Sequence, residues 1–179
     1  MTRNWCGKRI AALGFLVVAG VSACSRTSRS DDPSRGSTAA ASLQAEVRQV
    51  TLERRACYGS CPVYNVIARS DGNVRFEGIR NVAAMGVLRW RVAAESVATV
   101  FHYADSIKFA SLPAKYDFGE PGCSPYIADL PGFAVTVETA GTPKRVYADG
   151  GCPNVPGALA VLPSLIDRVA KVESSVGKP

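Results

Sequence analysis

The sequence predicts an α+β fold: an antiparallel sheet with two helices packed on one face, stapled by disulfides. Three observations predict it. Strand-like runs followed by a helical run occur twice, in the order strands–helix–strands–helix. Outside the first two dozen residues the chain carries four widely spaced cysteines besides Cys24, an even number that suits a disulfide framework. A stretch of about 125 residues between polar flanks can bury roughly two thirds of its unfolded surface, enough for a real core.

The elements follow from residue periodicity. Val47 to Arg54 alternates, with Val50 and Leu52 on one face and Thr51 and Glu53 on the other. Tyr58-Gly59-Ser60 makes a tight connection. Val63 to Arg69 is rich in β-branched residues and reads as a second strand. Ser70-Asp71-Gly72-Asn73 is an Asp-Gly hairpin turn, after which Val74 and Phe76 alternate with Arg75 and Glu77. Val87 to Arg91 is a further short strand. Val92 to Ile107 is the first helix, with Val97, Val100, Phe101, Ala104 and Ile107 on one face. A long Pro-rich loop runs from Leu112 to Pro131. Phe133, Val135 and Val137 form the next strand, and Ala140-Gly141-Thr142 turns the chain into Arg145 to Ala148. The last helix carries Leu159, Leu162, Leu165, Ile166 and Val169. Pro163 should kink that helix or start it.

The expected organisation has four parts. Residues 1–23 read as a signal peptide, 24–46 as a tether, 47–173 as one domain and 174–179 as a disordered tail. Arg3, Lys8 and Arg9 give a positive start, and Ile10 to Val21 an apolar run too short for a comfortable membrane span. Val21-Ser22-Ala23-Cys24 resembles the bacterial lipobox, in which small residues admit the processing peptidase and the cysteine thiol accepts the lipid. That resemblance implies a diacylglyceryl thioether and an N-acyl chain such as palmitate on Cys24. Several chains give stable anchoring where one is marginal. Ser25, rather than Asp, favours the outer membrane by the enteric sorting rule. The expected location is therefore the periplasmic face of the outer membrane, and the membrane is a partner through Cys24. Ser25 to Glu46 is polar, aperiodic and balanced in charge, as a tether is. Cys6 lies inside the signal.

Net charge is +6, and three of those cations sit in the signal. The basic residues of the domain are scattered, with Arg54-Arg55, Arg89-Arg91 and Lys144-Arg145 as local pairs. That pattern lacks the stripe of a nucleic-acid binder, so no nucleic-acid partner is expected. The sequence contains no P-loop, GxGxxG, GxSxG or HExxH pattern.

Cys57, Cys61, Cys123 and Cys152 allow three pairings. The expected one joins Cys57 to Cys61 across a short Gly-containing turn and Cys123 to Cys152 around a longer loop. The segment Ala56-Cys57-Tyr58-Gly59-Ser60-Cys61-Pro62-Val63-Tyr64 resembles the signature of a bacterial family of exported domains of unknown function, the family numbered 6438. Asp71-Gly72, Phe76-Glu77-Gly78, Ala104-Asp105, Phe109, Leu112, Tyr116, Asp129-Leu130-Pro131, Gly151-Cys152-Pro153 and Leu165-Ile166-Asp167 extend the resemblance over 48–170. It implies an architecture, and its occurrence in lipoproteins agrees with the lipobox. It implies no activity.

Cys57-x-x-x-Cys61-Pro62 also resembles the copper site of the copper chaperones of cytochrome oxidase assembly, which add a distal histidine. His102 is the only histidine here, and two thiolates with an imidazole suit copper. That family is thioredoxin-like, with a helix straight after the cysteines, whereas Val63 to Arg69 reads as a strand. A zinc site from the four cysteines is disfavoured by their spacing and the oxidising compartment. Carboxylate pairs, Asp117 with Glu120 or Glu77 with Asp105, are the candidates for hydrolytic chemistry. Tyr116, Phe118 and Tyr126 make the 112–131 loop aromatic, which suits either capping of the core or contact with a partner. The function expected is a non-catalytic periplasmic binding or interaction module with a protein or cell-wall partner and no cofactor. The alternative is a copper-binding or thiol-redox protein.

Overall fold

A computed structural model of the chain describes residues 47–139 and 141–177. The expected signal peptide, with Cys6, and Cys24 with its tether lie outside the described residues. The elements are β1 (Gln49–Arg54), β2 (Val63–Arg69), β3 (Asn73–Arg80), β4 (Gly86–Arg91), α1 (Ala94–Ser106), β5 (Lys115–Tyr116), β6 (Phe133–Thr139), β7 (Thr142–Ala148), α2 (Gly157–Ala170) and the short α3 (Glu173–Val176). Seven strands form one mixed sheet in the order β4-β3-β2-β1-β6-β7-β5. The fold is α+β with two main helices.

Alternation builds the core. Val50 and Leu52 of β1 lie opposite Ala68 and Val66 of β2, and opposite Val137 and Val135 of β6. Phe76 of β3 continues the row from Val66, and Val146 of β7 continues it from Val135. All of these are buried, together with Val97, Val100, Phe101 and Ala104 of α1 and Leu159, Leu162, Ile166 and Ala170 of α2. The apolar stripes of both helices therefore join the core of this one sheet face. Tyr64, Phe76 and Trp90 stack across β2, β3 and β4 with ring centroids 5.3 and 6.3 Å apart. Trp90 donates its indole N–H to the Ala170 carbonyl at the end of α2. Tyr103 of α1 donates its hydroxyl to the Ala158 carbonyl of α2.

The β2–β3 hairpin turns at Asp71-Gly72. Asp71 accepts the Asn73 N–H, and that bond holds its carboxyl below the usual range. Gly72 has φ +85°, and a Cβ there would lie 2.4 Å from the Val92 carbonyl oxygen. Only glycine meets both demands.

Three expectations are corrected. The sheet is not wholly antiparallel: Lys115–Tyr116, inside the Pro-rich loop, pair parallel to Tyr147–Ala148. The loop runs alongside the sheet edge there instead of turning back as a hairpin, so the added edge is parallel. Pro163 does not start the last helix, which begins six residues earlier and carries Pro163 buried on its core face. The tail expected from 174 is ordered up to 177: Ser175 is buried, and the Ser175 and Val176 carbonyls accept the N–H groups of Ala84 and Ala83. Those bonds satisfy the backbone of the β3–β4 connection, which a sequence reading cannot assign.

Arg54 is the last residue of β1 and points toward the helix layer, where it pairs with Asp167 of α2. Tyr64 is the neighbour of Arg54 across the β1–β2 ladder. Burial, then the Asp167 carboxylate, pushes the Tyr64 phenol well above its ordinary value. The unfolded chain loses that proton near pH 10 and the folded chain keeps it. Stability should therefore fall as pH rises above about 10, by up to about 1.4 kcal/mol per pH unit from this group. Urea unfolding at pH 8 and pH 11 should show a smaller alkaline loss for Tyr64→Phe than for the parent.

Candidate functional site

Three irregular segments meet at one end of the sheet: the β1–β2 connection, the loop from Asp117 to Gly132, and the turn from Asp149 to Pro156. Cys57 is bonded to Cys61, and Cys123 to Cys152 across 29 residues. The first bridge closes the β1–β2 connection on itself. The second ties the long loop to the segment leading into α2. Cys123 and Cys152 are buried, while Cys57 and Cys61 are half-buried in a surface ring.

Backbone hydrogen bonds complete the cross-linking. Arg55 and Tyr58 donate to the carbonyls of Gly132 and Asp129, and Ile127 donates to Gly151. Asp149 donates its N–H to Tyr116 and accepts the Gly151 N–H on its carboxylate. Asn154 reaches back to the Pro121 carbonyl. Gly151 is pinned: a Cβ there would lie 1.9 Å from the Ile127 carbonyl oxygen. The long loop is thus fixed at several points along its length.

What this fixed end presents is apolar and aromatic. Tyr58 is 88% exposed, Phe118 74%, Ile127 61% and Leu130 41%, so four large side chains lie open within one loop cluster. Phe118 packs against Tyr126 with centroids 5.2 Å apart. Tyr116, by contrast, is buried and caps the core. The aromatic loop therefore divides, with Tyr116 inward, Tyr126 half-buried and Phe118 at the surface.

Two cavities flank the Cys57–Cys61 ring. One, of about 330 Å³, is lined by Tyr58, Tyr126, Leu130 and the carboxylates of Asp129 and Asp149. The other, of about 260 Å³, is lined by Arg54, Arg55, Tyr64 and Pro131. The ring therefore separates a side with carboxylates from a side with two arginines, Arg54 and Arg55, that are ion-paired to Asp167 and Glu53. Partial desolvation, then the carboxylate of Asp149, raises the Tyr126 and Tyr147 phenols above their ordinary value. Asp117, Asp129 and Asp149 take part in no ion pair among the described residues.

Other residues singled out by sequence do not come together. His102 is exposed on α1, and no three His, Cys, Asp or Glu residues form a metal-ligating group among the described residues. Glu77 pairs with Arg75 on β3, whereas Asp105 pairs with Arg48 from α1, so the two carboxylates serve different cations. Glu120 pairs with Lys115, while Asp117 accepts the Phe118 N–H, which leaves them in separate contacts. Sequence reasoning passed over Ile127, Asp129 and Asp149 as site residues, because their convergence depends on the fold of two loops.

The model of a family described as a domain of unknown function, DUF6438, matches residues 48–170. The chain belongs to this family. The match spans every strand and both main helices, so DUF6438 corresponds to the whole α+β unit with both bridges. No curated protein matches the chain. No described helix is long and apolar enough to cross a membrane.

Two stability outcomes are expected. Replacing Cys123 and Cys152 together by Ser should cost roughly 3–4 kcal/mol in urea unfolding. Gly151→Ala should cost more than about 2 kcal/mol, because the new methyl must displace backbone rather than a flexible side chain.

Proposed function

We propose that this protein is a lipid-anchored, non-catalytic binding module. It holds its disulfide-fixed loop end toward a protein or cell-wall partner on the periplasmic face of the outer membrane. The observation that carries the reading is the gathering of Tyr58, Phe118, Ile127 and Leu130 on cross-linked loops. Exposed apolar side chains scattered singly need no explanation, but a cluster does. Tyrosine and phenylalanine make rigid contact anchors at low entropy cost. Loops already ordered by two bridges lose little further freedom on binding. The paired cavities, one lined by carboxylates and one by arginines, add a means of orienting the partner.

The anchor rests on the basic start, the apolar run and Val21-Ser22-Ala23-Cys24. Cys24→Ser should move the protein from the membrane fraction to the soluble envelope fraction. Retention in the membrane at the parental level removes lipidation from the proposal.

The contact surface is tested by a photo-crosslinking residue placed at position 58, 118 or 161 in living cells. Val161 is the control, 53% exposed on α2. Adducts from 58 and 118 and none from 161 are expected; equal labelling from all three, or none, overturns the assignment. A thiol count on protein purified from the envelope without reductant tests the competing chemistry. The Cys57–Cys61 ring is at the surface, within reach of a reductant. Free thiols there would replace this reading with the copper-binding or thiol-redox one.

A further inference from the structure

The sheet face turned away from the core has its own chemistry. On β1 to β4 the odd-numbered residues point to this side, and it carries Arg69 from β2, Arg75 from β3, and Arg89 and Arg91 from β4. Arg75 and Arg89 are directly opposite in the β3–β4 ladder. Like charges in that position destabilise a sheet unless something neutralises them.

The available acids do so only in part. Asp71 meets Arg69 at 3.4 Å, and Glu77 meets Arg75 at 2.9 Å. Arg91 donates to the Asn73 side chain and the Asp71 carbonyl. The Arg89 guanidinium has no hydrogen bond or ion pair among the described residues, and the residue is exposed. Between these side chains lies a groove of about 290 Å³, lined by Arg69, Arg75 and Arg89 with Ile67, Gln49 and Asn73. Its cations stand on three neighbouring strands, which hold them more firmly than loops do. Guanidinium forks donate paired N–H groups to phosphate oxygens. Ile67 leaves room for the carbon part of a phosphate ester.

We propose that this groove receives the phosphate headgroups of an anionic membrane surface. The choice of a headgroup over a soluble phosphate ester rests on the lipid anchor proposed above. The chain that follows Cys24 enters the described domain at Val47, two residues before Gln49, which itself lines the groove. Gln49 lies opposite Arg69, at the end of the strands farthest from the two disulfides. Charge complementarity and the entry point of the tether therefore bring the same sheet face toward the bilayer.

The test uses the chain from Ser25 onward, purified without lipid, so that the anchor cannot contribute. Its partition onto phosphatidylglycerol vesicles is measured by co-sedimentation, beside phosphatidylcholine vesicles and free glycerol phosphate. Binding to the anionic vesicles alone, or to both vesicles and the free ester, is expected. Arg75→Gln with Arg89→Gln should weaken vesicle partition about tenfold. Arg168→Gln with Lys171→Gln removes the same charge from the C-terminal end of α2 and the residue after it, and should change it little. Equal losses in the two double variants reduce the effect to net charge and overturn the proposal. Binding of the free ester without vesicles overturns the headgroup assignment. Aggregation of the Arg89 variant with unchanged vesicle binding also overturns it, because the arginine then only guards the exposed edge strand. The anchor reading fails on a different result, membrane retention of Cys24→Ser.

Discussion

Val50, Leu52, Val66, Phe76, Val135 and Val146 are sealed against α1 and α2, while their neighbours Thr51, Ile67, Arg75, Thr136 and Arg145 are not buried. This one-sided cover is the constraint on which the rest of the molecule depends. A strand alternates its side chains, so covering one face commits every second residue to the other. The uncovered face must then be polar to remain in water, and it is laced with ion pairs such as Glu53 with Arg145. A sheet built this way has an apolar side that specifies the fold and a charged side free for contact.

The same asymmetry explains the disulfides. The loop between β5 and β6 carries no apolar stripe that could hold it to the core, and its backbone groups need partners. Cys123–Cys152 and the hydrogen bonds to Gly151 and Asp149 supply fixed points instead. Restricting the unfolded chain offsets burial that the loop itself does not provide. With the backbone held by these means, Tyr58, Phe118, Ile127 and Leu130 can stay exposed without unravelling the loop. An aromatic surface of this kind would be a liability on a flexible segment. On a cross-linked one it suits the binding role proposed.

Period-two and helical spacing made β1, β2, β3, β6 and both main helices legible, because each buries an alternate set or stripe; β4, which buries no residue, was legible from its short apolar run. The two residues of β5 give no periodic signal, and their pairing is set by where the Pro-rich loop passes β7. Pro163 reads as a breaker in isolation, yet α2 accepts it because tertiary packing covers the ring. Ser175 looked like part of a polar tail, since its burial depends on a β3–β4 connection far away in sequence. The aromatic loop was visible, but the division between a buried Tyr116 and exposed Phe118 was not. Two residues apart, in an irregular segment, they follow no period.

The arginines show most sharply what register adds. In the sequence Arg69, Arg75, Arg89 and Arg91 are spread over 23 positions and read as scattered basic residues. Pairing of β2 with β3 and of β3 with β4 brings them onto one surface, with Arg75 opposite Arg89. The opposite ends of β1 and β2 lead into the Cys57–Cys61 ring. The domain is therefore polar along its strands, basic near the entry of the chain and aromatic at the far end. On the proposed reading, these two ends divide the work. Guanidinium groups on the open sheet face near Gln49 favour an orientation in which that face meets an anionic bilayer. The loop cluster then lies a strand's length from the point where the chain enters the domain.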